Sequence, residues 1–327
     1  MILKLNLEIL KNTKNLLAFS AGIDSSALFF LLLDKNVSFD IAIVDYNERA
    51  QSKEEVLFAK ELAKKYNKKI FLKEVSLSGS NFEKKARDIR YCFFEEIIKE
   101  EKYNTLITAH QLNDKLEWFM MQLSKGAGLS ELIGFNTWED KDYYKIYKPL
   151  LNITKDELEE YLKTNGLKYF IDETNNDIKY KRNYFRHNFS DKFLSEFKNG
   201  VINSFKYLQE DINSLNISIS ALQKIEELEI YKNLNDNNLN IRIIDKSIKK
   251  RGFVLSKASR DEIIKQKEII ISHKIAVSIN SEYIFICPVS KTSMDKKFKE
   301  KCRVKKIPKN IRAYLYEKKV EIEDLVI

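Results

Sequence analysis

The chain has 327 residues, of which 44% are hydrophobic and 32% are charged. This balance is typical of a soluble globular protein, and the length allows two domains or one large domain with an appendage. No apolar run reaches the ~20 residues that a membrane-spanning helix needs, which argues against a membrane protein. The N-terminus does not resemble a secretion signal and the three cysteines stand alone, so we expect a cytoplasmic protein without a disulfide framework.

Positive charge is concentrated in the last part of the chain. The net charge is +9, and residues 201–327 hold 25 Lys and Arg against 17 Asp and Glu, compared with 32 against 31 in residues 1–200. A basic region attached to a nearly neutral one suggests a polyanion that is held by one part and modified by the other. The alternative is a lysine-rich surface that serves only solubility.

The first elements along the chain are a buried strand and a helix that are joined by a short polar loop. An apolar run ends at Phe19, the loop Ser20-Ala-Gly-Ile-Asp24-Ser-Ser26 follows, and a second apolar run begins at Ala27. Backbone N–H groups and the positive helix end then face one spot, which favours a phosphate. Asp24 would repel phosphates unless a cation such as Mg²⁺ lay between them. The alternative is a tight turn in which Ser and Asp side chains merely cap the helix.

Strands and helices alternate over the following hundred residues. Strands are predicted at residues 39–44, 69–72 and 105–109, and capping boxes at Ser52 and Ser80 begin helices between them. This alternation predicts a parallel sheet with helices on both faces, whose ligands bind beyond the carboxyl ends of the strands. We therefore expect residues 20–25, 45–47 and 110–114 to converge.

The remainder of the chain is predicted to be helical and then mixed. A capping box at Thr154 begins one helix, residues 193–230 show a helical pattern, and the Asn-rich residues 233–240 are interpreted as a linker or loop. Residues 241–327 are predicted to form a small α+β region with a hairpin of residues 276–279 and 283–288. The predicted domains are residues 1–200 and the basic region 201–327.

Two pairs of arginines are candidates for binding phosphate. Arg87 and Arg90 lie three apart on a predicted helix and can point from one face, where two guanidiniums would bind phosphates or stabilise a leaving group. Their alternative is a solvated pair beside Glu83 and Asp88. Arg182 and its neighbour four residues on, Arg186, follow an acidic turn.

Asp172 could pair with one arginine of that second pair and leave the other for a ligand, although a basic helix face is usually just solvated. Asp114 lies four residues after His110 at a strand-to-helix junction. It is either a second Mg²⁺ ligand or an ordinary helix cap, whereas His110 is expected to be structural.

Taken in order, these segments resemble a known superfamily. Ser20-Ala-Gly-Ile-Asp24-Ser25 is similar to the Ser-Gly-Gly-x-Asp-Ser loop of the N-type ATP pyrophosphatases, the PP-loop superfamily. Over residues 15–195 the ordered set resembles the tRNA(Ile)-lysidine synthase family. The blocks that carry this resemblance are Val44-Asp45-Tyr46-Asn47-Glu48-Arg49, Arg87-x-x-Arg90-Tyr91, Ala109-His110-x-x-x-Asp114-x-x-Glu117, Lys125-Gly126-x-Gly128, Lys148-Pro149-Leu150-Leu151, Asp172-x-Thr174-Asn175 and Arg182-Asn183-x-x-Arg186.

The resemblance implies an α/β fold, with a parallel-sheet PP-loop nucleotide-binding domain followed by a helical segment and a small α+β C-terminal domain. It implies a ligase that forms a C–N bond and converts ATP to AMP and pyrophosphate. ATP would adenylate the C2 oxygen of the wobble cytidine in a tRNA(Ile) with a CAU anticodon. Free L-lysine would then attack C2 and give lysidine. The basic C-terminal region would orient the tRNA, and the oligomeric state is left open, with a dimer possible.

The resemblance also implies roles for individual residues. The expected metal ligands are Asp24 and Asp114, which would hold Mg²⁺. The expected catalytic residues are these two aspartates together with Arg90 and Arg182. Nucleotide binding falls to the loop and to three side chains beyond it: Ser20, Ala21, Gly22, Ile23, Asp24, Ser25, Ser26, Asp45, Arg87 and Arg186. Asp114, His110 and Glu117 are unranked candidates for the base that accepts a proton from the lysine amine.

The sequence departs from the family pattern at three positions. Ala21 replaces the first loop glycine, a small change if its φ is negative. Asn113 stands where the first of two aspartates is usual, which puts metal ligation there in doubt, and Lys115 replaces a usual glutamine. Two rival functions remain: tRNA thiolation, which usually needs paired cysteines that this chain lacks, and a non-catalytic RNA-binding protein with a degenerate nucleotide fold.

Overall fold

The computed structural model describes Leu3 and residues 5–47, 51–77, 82–171, 181–215 and 220–327. The chain forms two compact units, Met1–Ser214 and Leu215–Ile327. No helix within the described residues is long and apolar enough to cross a membrane. The predicted cap at Ser80 and the predicted partner Asp172 lie outside the described residues.

A parallel sheet forms the centre of the first unit. Its strands run in the order β3-β2-β1-β4-β6-β5, and each neighbouring pair is parallel except β5 and β6. The predicted parallel α/β architecture is therefore confirmed. In chain order the strands are β1 (Asn15–Ala18), β2 (Phe39–Asp45), β3 (Ile70–Glu74), β4 (Thr105–Ile107), β5 (Trp138–Asp140) and β6 (Lys145–Tyr147).

Helices cover both faces of this sheet because successive strand residues point to opposite sides. Leu17 packs with Phe29 in one cluster, whereas Leu16 packs with Phe94 and Ile98 in another. The helices are α1 (Ile23–Asp34), α2 (Gln51–Lys65), α3 (Phe82–Glu101), α4 (Leu112–Leu123), α5 (Leu129–Ile133), α6 (Lys155–Thr164), α7 (Lys181–Phe185) and α8 (Asp191–Leu215), with a π-helical turn, Arg186–Ser190, between the last two. Thr154 and Glu157 form the predicted capping box.

The strand order places a binding crevice at the centre of the sheet. β1 and β4 are neighbours, and the chain leaves β1 towards β2 and β3 on one side, while β6 and β5 lie on the other. Ligands of open α/β sheets bind at such a switch point, beyond the carboxyl ends of the strands. The loops after β1 and β4 therefore meet there, as the sequence predicted.

The second unit is an antiparallel sheet with helices on both faces. The strand order is β7-β8-β11-β10-β9, and β10 and β11 form the predicted hairpin. Residues from α9 and α10 pack on one face of this sheet, and residues from α11 and α12 pack on the other face. The elements are β7 (Gln223–Ile225), β8 (Leu228–Lys232), α9 (Asn237–Lys250), α10 (Lys257–Gln266), β9 (Glu268–Ile271), β10 (Ile275–Ile279), β11 (Tyr283–Pro288), α11 (Lys296–Val304) and α12 (Lys309–Glu317).

One local prediction for this unit is wrong, and a second is wrong in part. The helical pattern expected to continue to residue 230 ends with α8 at Leu215, and β7 and β8 follow. Pairing of β8 with β11, more than fifty residues later, overrides the local helical pattern. The segment interpreted as a linker or loop at residues 233–240 is a loop only as far as Asp236, and α9 begins at Asn237. Asp236 caps this helix by accepting a hydrogen bond from the Leu239 backbone N–H at 2.9 Å.

Candidate active site

The loop after β1 leads directly into an uncapped helix. Gly22 is the N-cap residue of α1, with φ −73° and ψ 174°, and no side-chain hydrogen bond caps this helix within the described part of the chain. The first N–H groups of a twelve-residue helix are thus free of a side-chain partner and are available to an anion. This geometry favours the phosphate interpretation over the alternative in which Ser and Asp side chains cap the turn.

The loop hydroxyls are held in a small network. Ser20 and Ser25 place their Oγ atoms 3.1 Å apart, and Ser25 Oγ also accepts from the Ser20 N–H at 3.2 Å. Ser26 Oγ is buried and has no hydrogen-bond partner within the described part of the chain. A phosphate oxygen at the helix end would accept from such hydroxyls.

Ala21 adopts a left-handed backbone conformation. Its φ is +61° and its side chain is fully buried, while its carbonyl accepts from the Phe170 N–H at 2.9 Å. The expectation that alanine is a small change at this position required a negative φ, and the observed φ is positive. Left-handed backbone costs a non-glycine residue about 1–2 kcal/mol, which the surrounding packing must offset.

Asp24 lies in the first turn of α1 with an unsatisfied carboxylate oxygen. Its Oδ1 atom is buried and has no hydrogen-bond partner within the described part of the chain. Burial, and then the negative charge of Asp114, raise the pKa of Asp24 to about 7. A buried carboxylate oxygen without a donor is costly unless something else satisfies it, so this atom is suited to a cation.

Asp114 combines the two roles that the sequence left open. Its Oδ2 atom accepts from the Gln111 backbone N–H at 3.2 Å, which completes a capping box at the start of α4. Its Oδ1 atom accepts from Arg182 Nη2 at 2.6 Å. Burial alone would raise the pKa of Asp114, but Arg182, His110 and Arg186 outweigh it and hold the pKa below its ordinary value.

Glu117, one turn further along α4, joins both arginines that follow. Its side chain is buried, and it accepts from Arg182 Nε at 2.8 Å and from Arg186 Nε at 2.6 Å. Arg186 Nη2 donates a further bond at 3.2 Å. Sequence reasoning named Glu117 only as a candidate base. Its position three residues after Asp114, on the same helix face, was the available sign that the two carboxylates act together.

The arginines Arg182 and Arg186 are consequently ordered before any ligand arrives. The carboxylates of Asp114 and Glu117 raise the pKa of Arg182 above its ordinary value, which keeps the guanidinium charged. Paired arginines lose less conformational freedom when they meet a further anion. We call Asp114, Glu117, Arg182 and Arg186 the ion-pair cluster.

His110 is held neutral beside this cluster. Its Nδ1 atom lies 2.9 Å from Thr108 Oγ1, and its ring centroid is 5.3 Å from that of Phe135. Burial lowers the pKa of His110 to about 4, although Asp114 opposes the shift. With Asp114 and Glu117 occupied by arginines, His110 is the one candidate proton acceptor outside an ion pair.

Arg87 and Arg90 lie on α3 at the edge of the same crevice. Both are exposed, and within the described side chains neither makes an ion pair; Arg87 lies 5.3 Å from the centroid of the Tyr91 ring. Burial is the main cause of the lowered pKa of His110, and the charge of Arg90 adds to it. The alternative pairing with Asp88 is absent, and the side chain of Glu83 lies outside the described set.

Asp45 ends β2 beside the crevice and is buried. Its Oδ1 atom accepts from the Asn47 N–H at 2.8 Å, which fixes the turn that leaves the strand. The predicted convergence of residues 20–25, 45–47 and 110–114 therefore reflects three neighbouring strand ends.

Asn113 is engaged in structural hydrogen bonds. Its Nδ2 atom donates to Asp191 Oδ1 at 2.7 Å, and its Oδ1 atom accepts from the Lys155 N–H at 3.1 Å. Both ends of the amide thus connect α4 to α8 and α6. An aspartate at this position could not donate to Asp191, so the amide suits this network.

Lys115 is an isolated cation in an apolar environment. Only 7% of its surface is exposed, its Nζ atom lies 4.4 Å from the centroid of the Phe205 ring, and within the described residues it makes no ion pair. Burial lowers its pKa to about 8. The aromatic face provides partial compensation for the lost hydration.

We predict that Lys115→Met stabilises the fold at neutral pH. The folded pKa of about 8 lies below the ordinary 10.5, so the unfolded chain binds the proton more tightly and wild-type stability rises with pH between these values. The variant should gain roughly 1–2 kcal/mol in free energy of unfolding at pH 7, after the lost cation–π contact is deducted, and less at pH 10. Urea titrations at both pH values measure this.

The exposed Lys64→Met on α2 is the matched control and should change stability by less than ~0.5 kcal/mol at either pH. A Lys115→Met protein that is less stable than wild type at pH 7 would show that the ammonium is well accommodated.

Comparison with known proteins identifies the family. Residues 2–193 match the PP-loop domain family. A tRNA(Ile)-lysidine synthase from Campylobacter jejuni is 45% identical over 320 residues, covering 98% of this chain and 97% of that protein. The tRNA(Ile)-lysidine synthase of Helicobacter pylori is 42% identical, covering 96% and 92%.

The chain belongs to the tRNA(Ile)-lysidine synthase family. Membership confirms the predicted enzyme class, a ligase that uses ATP to form a C–N bond, and confirms that the loop Ser20–Ser26 lies in a domain that binds ATP. A solved structure of the U34-tRNA thiolase NcsA from Methanococcus maripaludis, with its [4Fe-4S] cluster, is similar at a TM-score of 0.53. It is 18% identical and covers 66% of this chain and 76% of that one. That likeness concerns the fold.

Membership of the lysidine synthase family argues against the two rival functions. The free cysteines of this chain are Cys92, which is exposed, and Cys287 and Cys302, which are buried in the second unit. Burial raises the pKa of Cys287 to about 12, so this thiol is a poor nucleophile. The thiolation alternative thus gains no support from the described cysteines.

Proposed function

We propose that this enzyme converts the wobble cytidine of a CAU-anticodon tRNA(Ile) to lysidine in the cytoplasm. In the first step the C2 carbonyl oxygen attacks the α-phosphorus of ATP, the bond between the α- and β-phosphates breaks, and pyrophosphate leaves. In the second step the neutral amine of free L-lysine attacks C2 and AMP leaves with the oxygen. The amine loses its proton to a base.

One observation carries the assignment of the ATP site. The uncapped N-terminus of α1 and the unsatisfied carboxylate oxygen of Asp24 lie together in the domain that matches the family. A helix end attracts phosphate, and a carboxylate beside phosphate requires a cation. Their combination supports ATP bound through its outer phosphates, together with a Mg²⁺ ion that Asp24 would help to hold.

Asp24 and Asp114 would hold Mg²⁺. The donor set fits, because Asp114 is a buried carboxylate, the Oδ1 atom of Asp24 is buried and unsatisfied, and the two residues follow neighbouring strands. Oxygen ligands from one or two carboxylates, completed by phosphate, are what Mg²⁺ prefers. When bound, Mg²⁺ neutralises phosphate charge and so favours departure of pyrophosphate.

The chain's own cations share the remaining negative charge. Arg182 and Arg186 are already oriented by the ion-pair cluster, and Arg90 is an exposed residue of α3. In this proposal Arg90 and Arg182 stabilise the charge that develops during adenylation, with Arg87 and Arg186 beside them. The loop hydroxyls of Ser20 and Ser25 bind the outer phosphates.

Residues 201–327 would bind the body of the tRNA. Between Lys291 and Arg312 there are ten basic residues and two acidic ones. Such a density of Lys and Arg gives affinity for a phosphate backbone that falls with salt.

Incubating the full chain with ATP, radiolabelled lysine and an unmodified CAU-anticodon tRNA(Ile) transcript tests the proposal. We expect label in the tRNA with one AMP and one pyrophosphate released per lysine. A transcript whose wobble base is uridine should stay unlabelled. ATP cleavage without lysine transfer would refute the proposal, and tRNA binding without ATP cleavage would favour the non-catalytic alternative.

A further inference from the structure

A row of phenylalanines lies on the surface beside the arginine pair. They occur at every fourth position of the sequence, from α7 through the π-helical turn into α8: Phe185, Phe189, Phe193 and Phe197. The ring centroids of Phe185 and Phe189 are 5.6 Å apart, and those of Phe193 and Phe197 are 5.0 Å apart. We call these four side chains the phenylalanine row.

The phenylalanine row is separate from the side of α8 that packs in the core. Leu194, Val201 and Phe205 are buried and pack against Leu112 and Leu116 of α4. By contrast, Phe189, Phe193 and Phe197 leave 44%, 43% and 52% of their surface exposed. An apolar surface of this kind, beside a site, marks an interaction surface.

The row begins next to the ion-pair cluster along the chain. Phe185 lies between Arg182 and Arg186, whose side chains turn inward to Glu117. The π-helical turn that follows closes with the Asp191 N–H donating to the Arg186 carbonyl. Such turns concentrate at functional sites because the extra residue changes which way the following side chains point.

The charge around the row indicates the kind of partner. Of the six Lys and Arg in residues 181–206, Arg182 and Arg186 are paired within the ion-pair cluster, and Lys198 and Lys206 are paired with glutamates. Lys181 and Lys192 are exposed and make no ion pair within the described residues. Asp191 accepts from Asn113, and Lys181 Nζ lies 5.8 Å from the Phe185 ring centroid. A second copy of this chain would bring two such sets of unpaired lysines together. Single-stranded nucleic acid combines negative backbone charge with flat apolar faces, and it fits both properties.

We infer that the phenylalanine row stacks unpaired bases of the tRNA anticodon loop and so keeps the wobble cytidine out of the base stack. This inference rests on the proposed function. The C2 carbonyl oxygen can reach the α-phosphorus only when the cytidine has left its neighbours, and unstacking costs free energy. Exposed rings that receive the neighbouring bases offset that cost, because stacking on aromatic side chains is independent of base identity.

The test compares rings with apolar side chains of similar size. In the Phe189→Leu/Phe193→Leu variant the surface stays apolar but loses its π faces, whereas Phe189→Tyr/Phe193→Tyr keeps them. The exposed Tyr207→Leu lies on α8 but outside the row and is the matched control. Circular dichroism verifies that each variant is folded.

The probe is an anticodon stem-loop of tRNA(Ile) that carries 2-aminopurine next to the wobble position, since its fluorescence is quenched by stacking. Wild type, the Tyr variant and Tyr207→Leu should all quench it. The Leu variant should lose most quenching and bind about 10-fold or more weakly. Its KM for tRNA should rise while its KM for ATP stays unchanged.

Equal quenching and equal affinity in the Leu variant and wild type would overturn the inference. It would also be overturned if light scattering showed that the Leu substitutions convert a dimer to a monomer, because the row would then join two copies of the chain. Wild-type protein that quenches the probe but transfers no lysine would leave the row in place and refute the proposed reaction instead.

Discussion

Asp24→Asn is expected to make the protein more stable and catalytically inert. The buried Oδ1 atom lacks a hydrogen-bond partner within the described residues, so the charge destabilises the ligand-free fold. Removing that charge should raise the free energy of unfolding by roughly 1 kcal/mol, or Tm by about 2–4 °C, in metal-free buffer at pH 8. Lysine transfer should fall by at least about 100-fold, because phosphate charge is no longer neutralised.

The order of stabilities should reverse when ATP and Mg²⁺ are added. Wild type gains the free energy of ligand binding, whereas Asp24→Asn gains little of it. Differential scanning fluorimetry with EDTA, and then with ATP and Mg²⁺, measures both effects. Asp261→Asn, which changes an exposed carboxylate on α10, should alter neither. Equal ligand-induced shifts in Asp24→Asn and wild type would show that Asp24 does not contribute to this site.

Glu117→Gln is expected to weaken both the fold and the reaction. A neutral amide cannot compensate two guanidiniums, and Arg186 would keep only Asp114, at 3.8 Å, within the ion-pair cluster. Loss of one partner in a buried ion pair typically costs about 3–5 kcal/mol in free energy of unfolding. We expect the lower end of that range, since Gln keeps the shape, together with a fall in kcat of about 100-fold as Arg182 loses its position.

A double-mutant cycle separates this network from a general loss of stability. Arg186→Gln in the Glu117→Gln background should cost much less than Arg186→Gln alone, because the two residues share one interaction. Urea titration gives the free energies, and Glu160→Gln on the exposed side of α6 is the control. Strictly additive losses of unfolding free energy would show that Glu117 and Arg186 do not act together in the ion-pair cluster.

Local sequence signals predicted the nucleotide-binding half well. The strand, loop and helix around Ser20–Ser26 are adjacent in the chain, and the alternation of apolar segments was enough to predict the parallel sheet. Local signals failed where the deciding partner is distant. β8 pairs with β11 across more than fifty residues, and this pairing overrides a helical pattern.

The same limit applies inside the candidate site. Glu117 binds arginines that are 65 and 69 residues further along the chain, so its place in the ion-pair cluster depends on tertiary structure. The positive φ of Ala21 is imposed by the bridge between Gly22 and Phe170 and by burial, whereas sequence preference alone favours a negative value.

The ion-pair cluster also has a consequence for synthesis on the ribosome. Strands β1 to β4 and helix α4 are synthesised well before α7, which carries Arg182 and is followed by Arg186. Until then, three carboxylates lie on one side of the sheet without these two arginines; they belong to Asp24, Asp114 and Glu117. Repulsion among them opposes early closure of the crevice. A nascent chain therefore acquires its charge balance in one late step, when α7 docks, and incomplete chains should neither retain nor cleave ATP.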